Sequence, residues 1–466
     1  MPEHRYSTIL DHSREEVFRW HTRPGALERL TPPWEDVRVV RRTGGIDDGG
    51  RVVLRVRRGP AKIRWELVHS DYEEGHRFCD EQVNGPLASW RHEHRFTSTD
   101  DGGCLLEDIV DWTPPLGSAG QLFAGPVVER ELDRLFAFRY RRLRDDLDRA
   151  RRYEAQGPLT VAVSGASGLV GSALVHMLTT AGHRVLQLVR RPPGPHENLV
   201  QWDPETGVID GRKLEGIHAL VHLAGESIAG ERWSDDKKKR ILESRVKGTE
   251  LLARTISRLG SKPKVMISAS AVGYYGDRGN EIITEGSNPG KGFLAGVCRQ
   301  WEAATRQAER SGIRVVHLRT GMVLSPRGGA LGTMLLPFKV GIGGRLGSGK
   351  QYVSWIDADD LLGLINHAIC EESVSGPLNA SAPYPVPNAT FADVLGRVLH
   401  RPTVLPVPGL AIRALFGEMG RELLLNGQRV LPKKAESTGY EFLFPGVEES
   451  LRFQLGRLET PPPRAD

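Results

Sequence analysis

Residues 161–191, VAVSGASGLVGSALVHMLTTAGHRVLQLVRR, leave this chain few folds to choose from. An apolar run, TVAVSG at 160–165, ends where three glycines begin, Gly165, Gly168 and Gly171, and passes straight into a helical pattern over 169–181. A second apolar run, RVLQLV at 184–189, follows at once. This succession predicts strand, helix and parallel strand, because parallel neighbours need a crossover of about this length. Glycines at a strand-to-helix turn let main-chain amides and the positive helix end approach a pyrophosphate with no Cβ in the way. Coenzyme contacts are therefore expected from Gly165, Ser167, Gly168, Leu169, Val170 and Gly171.

The pattern then repeats: a strand HALVHLAG (218–225), a helix near 243–259, a strand KVMISAS (264–270), a helix across 295–310 and a strand IRVVHLRT (313–320). Apolar runs alternating with amphipathic helices predict an α/β fold, a Rossmann-type doubly wound parallel sheet covered on both faces. Leu223, Ala224 and Gly225, closing the third predicted strand, should border the same coenzyme. About twenty residues past the glycines an NAD site usually offers an acid to the adenosine ribose, but here the second strand ends in Arg190 and Arg191. A guanidinium pairs with a 2′-phosphate that a carboxylate would repel, so NADP(H) is expected over NAD(H).

Upstream, DDLDRARRYEAQGP (145–158) marks a change of texture. Before it, RVVLRVR (51–57), KIRWELVHS (62–70), ASWRHEHRFTS (88–98) and CLLEDIVDWT (104–113) alternate and are divided by turn clusters, as in an antiparallel sheet. A closing helix is expected from Leu132, Phe136, Tyr140, Leu143 and Leu147, with Pro126 in its first turn. The expected domains are 1–152, a linker at 153–158, a dinucleotide domain at 159–402 and a small C-terminal domain at 403–455. With 63 basic against 58 acidic residues scattered along the chain, small anions are better partners than nucleic acid. Four distant cysteines spell no zinc or redox motif, the charged N-terminus lacks a signal-peptide core, and no run suits a membrane span. A cytoplasmic protein of open oligomeric state, with a small-molecule substrate and no bound metal, is expected.

In order along the chain, SGASGLVGSALV, HLAGESIAGERW, ESRVKGTELL, SASAVGYYG, GFLAGVCRQWE, HLRTGMVLSPRGGAL and SWIDADDL resemble an atypical branch of the NAD-dependent epimerase/dehydratase family, the extended short-chain dehydrogenases. The G-x-x-G-x-x-G spacing is similar to theirs, and the tail from about 403 looks like the small domain that accompanies this branch. The resemblance implies hydride exchange with a nicotinamide, by an oxidoreductase or epimerase, with Ser270 at the substrate-orienting serine position. It also implies a Tyr-x-x-x-Lys pair at Leu294 and Cys298, counted back from Glu302, and neither residue can supply that proton chemistry. Tyr274 and Tyr275 either substitute for the lost pair or merely pack over the nicotinamide; in the latter case the chain is a weak or inactive NADP(H) sensor. Glu226, Arg232 and Arg245, which stands where the family commonly has Asn, are candidate substrate contacts.

Gly344 to Lys350 imitates a P-loop, but Gln351 replaces the magnesium-binding hydroxyl and the next residues read as extended. Arg345 and Lys350 either turn toward a substrate anion or sit on a surface loop. Asp357, Asp359 and Asp360 suggest a carboxylate cluster that either caps the helix LLGLINHAI, the reading preferred here, or binds metal.

Residues 1–152 resemble the START-like, polyketide-cyclase-like α+β helix-grip fold, a curved sheet around a long helix, through LTPPWEDVRVV, NGPLASWRHEHRF and FAFRYRRLRDDL. The resemblance implies a cavity for an apolar ligand. Alternation puts Trp90, His92, His94 and Phe96 on the inner face. His92 and His94 then line that cavity, pack as ordinary core histidines, or bind metal, for which no third ligand is evident.

Overall fold

The computed structural model describes residues 3–115, 117–192, 194 and 198–458. Two compact units emerge, one of residues 1–154 with 179–181 and 453–466, the other of residues 155–178 and 182–452.

In the first unit, strands β1 (Glu3–Leu10), β2 (Asp36–Thr43), β3 (Arg51–Arg58), β4 (Ala61–Glu73), β5 (Arg77–Asn84), β6 (Ser89–Ser98) and β7 (Cys104–Thr113) form one antiparallel sheet. Their order is β1-β7-β6-β5-β4-β3-β2. Helices α1 (Arg14–Thr22) and α2 (Ala26–Leu30) follow β1, and α3 (Gly117–Arg152) closes the unit. Period-two alternation sends Phe96 and Leu106 inward, where they join Phe18 and Trp20 of α1 and Leu132, Phe136, Tyr140, Leu143 and Leu147 of α3 in one core. The helix-grip expectation is met: an α+β layer of sheet and long helix. Pro126 differs from expectation, for it lies inside α3, not in its first turn. Proline deletes one N–H and strains the local ladder, and the helical segments on both sides are long enough to carry the fault.

The second unit is the α/β layer. Its central sheet uses β8 (Thr160–Ser164), β9 (Arg184–Val189), β10 (Leu199–Asp203), β11 (Val208–Ile209), β12 (Ala219–His222), β13 (Val265–Ala271), β14 (Arg314–Thr320) and β15 (Gly376–Ala380). The order is β11-β10-β9-β8-β12-β13-β14-β15, parallel except for the edge strand β11. Central strands rich in Val, Ile, Leu and Ala are buried on both faces, as the apolar runs required. The helices include α4 (Leu169–Thr180), α5 (Asp235–Ser257), α6 (Phe293–Ala303) and α7 (Arg306–Arg310). Helix α5 starts eight residues before the expected helix near 243, because Ser234 caps it by accepting from the Lys237 amide. The helix expected across 295–310 is broken into α6 and α7 at Ala304–Thr305, where the Thr305 hydroxyl bonds the Glu302 carbonyl. Past β15 the tail contributes Arg429–Val430, which pairs in parallel with Ile282–Ile283.

Candidate functional site

Strand order reverses between β8 and β12, the first strand of the sheet and the fourth parallel one, so their carboxyl ends diverge into a crevice. The Leu223 amide donates to the Ser164 carbonyl at 3.2 Å and holds the two strand ends together. Immediately beyond, Gly165 has φ +72°, and a Cβ there would stand 2.9 Å from the Leu223 and Ala224 main chain. A Cβ at Gly171 would meet the Gly165 carbonyl oxygen at 2.1 Å. Gly168 is different: it is exposed, and its Cβ would touch only the Gly165 oxygen, at 3.2 Å. Two glycines thus let the turn close on itself, and the third leaves bare backbone facing outward. Ser167 is exposed beside it, Leu169 and Val170 open α4, and no acidic side chain stands in that first turn. A pyrophosphate fits this cradle, in which side chains are missing and a positive helix end is present. Arg190 and Arg191 are exposed just past the end of β9, and Gly225 lies exposed past β12.

Below this crevice His222 is wholly buried, with Nδ1 2.6 Å from the Ser164 hydroxyl, and burial holds its pKa down to about 3. It is a neutral packing group at ordinary pH.

At the end of β13 the picture reverses, and side chains occupy the space. Ser270 is buried and donates to Glu302 Oε1 at 2.7 Å. Arg319 of β14 grips both oxygens of Glu302 at 2.8 Å and donates to the Tyr275 hydroxyl at 2.9 Å. Tyr275 donates in turn to Asn379 Oδ1 of β15 at 2.7 Å. It is fully buried, and burial pushes its phenol up to about 12. Tyr274 is half-buried, with the Arg319 guanidinium 3.5 Å from its ring centre. Of the two tyrosines, then, only Tyr274 keeps access to solvent.

Helix α6 presents Leu294 and Cys298. The Cys298 thiol is buried, and that burial raises its pKa to about 11, so it is an inert apolar filler at neutral pH. The two first amides of α6, from Phe293 and Leu294, donate to Glu422 at 2.9 and 3.0 Å, so a carboxylate from the tail caps the helix.

The loop after β12 is pinned from α5. Lys237 Nζ, nearly buried, reaches Glu226 at 2.7 Å and Glu231 at 3.0 Å. Arg245 donates to the Glu226 and Ile241 carbonyls and lies 4.9 Å from the Trp301 ring centre. Both Glu226 and Arg245 are thereby engaged in shaping the loop, while Arg232 is exposed. Arg345 and Lys350 are exposed on a turn whose Leu346 amide donates to Asn388 at 2.7 Å. Strands, not a helix, follow this turn at Tyr352–Val353 and Trp355–Asp357, as the sequence suggested. Asp357 caps Ala358–Cys370 by accepting from the Asp359 amide, and Asp360 accepts from the Leu443 and Phe444 amides.

Sequence reading missed Arg319, Asn379, Lys237 and Glu422. One signal was available for Arg319: a lone cation in the apolar strand VVHLRT demands a buried partner. The others depend on pairings across long sequence distances.

The chain was compared with known proteins. Residues 161–380 match the NAD dependent epimerase/dehydratase family, 407–454 a domain of unknown function (DUF1731), and 1–148 the polyketide cyclase / dehydrase and lipid transport family. An epimerase family protein of Mycobacterium bovis is 45% identical over 297 residues, covering 64% of this chain and 98% of that protein. A crystal structure described as a nucleoside-diphosphate sugar epimerase of Corynebacterium glutamicum superposes with TM-score 0.80 at 37% identity, covering 97% of this chain and 90% of that one. The human epimerase family protein SDR39U1 (isoform 2), solved with NADPH, gives TM-score 0.60 at 36% identity over 64% of this chain and 100% of its own.

Proposed function

From the premise that this chain belongs to the NAD-dependent epimerase/dehydratase family, we propose that it is an NADP(H)-dependent oxidoreductase or epimerase of a small carbonyl or sugar-nucleotide compound. The observation that carries this reading is the Cβ-free cradle at Gly165, Gly168 and Gly171, opening at the topological switch point. Arg190 and Arg191 favour the phosphorylated coenzyme, and the human relative was solved with NADPH. The Corynebacterium protein, called a nucleoside-diphosphate sugar epimerase, supports the sugar-nucleotide arm. Arg232, Arg345 and Lys350 are exposed cations suited to a substrate diphosphate.

In this reading a bound nicotinamide supplies hydride exchange. The chain's own part is to orient and to move a proton. Ser270, held by Glu302, is a positioning hydroxyl. Tyr275 is shut away in the Arg319–Asn379 network, so Tyr274 is the phenol assigned to proton transfer at its hydroxyl. Calorimetry with NADPH and NADH tests the coenzyme assignment, and tighter NADH binding would defeat it. Turnover of NADPH with a panel of sugar nucleotides and carbonyl compounds, repeated with Tyr274→Phe, tests the chemistry.

One specific observation favours a second reading. Leu294 and Cys298 replace the proton-transfer pair and Cys298 is an inert thiol, which suits a coenzyme-binding sensor that no longer reacts. NADPH binding without any turnover across the panel would select it.

A further inference from the structure

The sheet of the first unit carries a second cluster, unconnected with the coenzyme. Register lays it across four adjacent strands: His69 of β4 stands opposite Asp80 of β5, Asp80 opposite His92 of β6, and His94 of β6 opposite Asp108 of β7. Residues directly opposed in an antiparallel pair have Cβ atoms about 5 Å apart, so these side chains meet on the inner face. Asp80 Oδ2 lies 3.5 Å from His94 Nε2 and 3.9 Å from His92 Nδ1. Asp80, His92 and His94 each offer a ligand atom, and the three atoms lie within 4.8 Å of one another.

What surrounds this trio resembles the outer partners of a metal centre. The far nitrogens of both rings face one carboxylate: His92 Nε2 and His94 Nδ1 are 2.8 and 2.7 Å from Asp108 Oδ1. Tyr140 donates to the other Asp108 oxygen at 2.8 Å. The second oxygen of Asp80 is 2.7 Å from His69 Nδ1. Carboxylates that orient ligating imidazoles in this way set their tautomer and strengthen their basicity. His94 is 5% exposed, and its ring stacks on Phe78 with centroids 4.3 Å apart. Asp80, one-fifth exposed, is the most open of the three.

We propose that Asp80, His92 and His94 bind a divalent transition-metal ion of the zinc type, with Asp108 and His69 as their outer partners. Two imidazole nitrogens and one carboxylate oxygen form a borderline donor set that suits zinc and its neighbours, whereas magnesium and calcium take oxygen ligands. Three protein ligands leave a coordination position open. A small cavity bordered by His94, His21 and Asp108, with room for about one water, adjoins the site. The third ligand, absent from the sequence motif, is thus supplied by the neighbouring strand, and the proposal revises the expectation of no metal.

The test uses the full chain, stripped with chelator and titrated with zinc chloride by calorimetry, with bound metal counted by mass spectrometry. One zinc per chain is expected, with affinity reduced at least about tenfold in Asp80→Asn and in His94→Gln. A wild-type chain that retains no zinc overturns the proposal, as do two folded variants that titrate like wild type. Should a variant fail to fold, cobalt(II) added to the wild-type chain decides: a ligand-field absorption band supports the site, and its absence sinks it.

Discussion

At the mouth of β8 three glycines keep open a space that side chains would fill; at the end of β13 a network of buried side chains fills the space. The first arrangement depends on backbone alone, since a methyl at Gly171 would collide with the Gly165 carbonyl. The second depends on a chain of buried donors and acceptors from Ser270 through Glu302, Arg319 and Tyr275 to Asn379. The two regions therefore draw on different residues of this unit.

The largest effect that would sharpen this contrast is expected from Glu302→Ala. It strands the Arg319 charge, only 4% exposed, and leaving a buried charge unpaired costs about 3–5 kcal/mol. Denaturant unfolding should record that loss, while calorimetry of the folded fraction finds NADPH affinity nearly unchanged. A large drop in affinity would show the two regions to be coupled. Gly168→Val should do the opposite, weakening NADPH roughly 100-fold, or about 2.7 kcal/mol, with little change in melting temperature. Equal binding by this variant would break the cradle argument. Arg190→Ala combined with Arg191→Ala should cost NADPH roughly tenfold and leave NADH unchanged, since only the former has a 2′-phosphate to lose.

Near neutral pH the buried titratable groups have little effect, and theirs emerges as pH falls. His222 has a folded pKa of about 3 against about 6.5 when unfolded, so the unfolded chain takes up its proton first as pH falls. Its contribution is complete above pH about 6.5 and is lost toward pH 3, at up to about 1.4 kcal/mol per pH unit. His222→Gln should flatten the acid limb of the second unit's stability curve by about one proton. Least of all, Cys298 should resist alkylation at pH 8 in the folded chain, because its thiol is buried and titrates near 11. Rapid labelling there would mean that α6 opens.

The cradle was legible in the sequence because its determinants are local. Gly165, Gly168 and Gly171 lie within one turn, and the apolar runs of β8 and β9 frame them. The ladder of parallel strands could be read for the same reason. Helix ends were less accessible: Ser234 and Lys237 started α5 early, and Thr305 divided α6 from α7, through single hydrogen bonds that periodicity does not register. Tyr275 was a candidate proton donor by its position beside Ser270, but its hydroxyl is tied to Asn379, more than a hundred residues on, and it packs in a core with Ile283 and Val430. His92 and His94 were placed on one face correctly by alternation, whereas Asp80 joins them only through strand pairing.

The carboxylate of Glu422 deserves a last consequence. Because it satisfies the two leading amides of α6, a protein cut before residue 409 would leave those donors without their carboxylate and fray the first turn of that helix. The tail is thereby a clasp on the helix that bears Leu294 and Cys298. Whatever lifts it away would loosen α6 at that end.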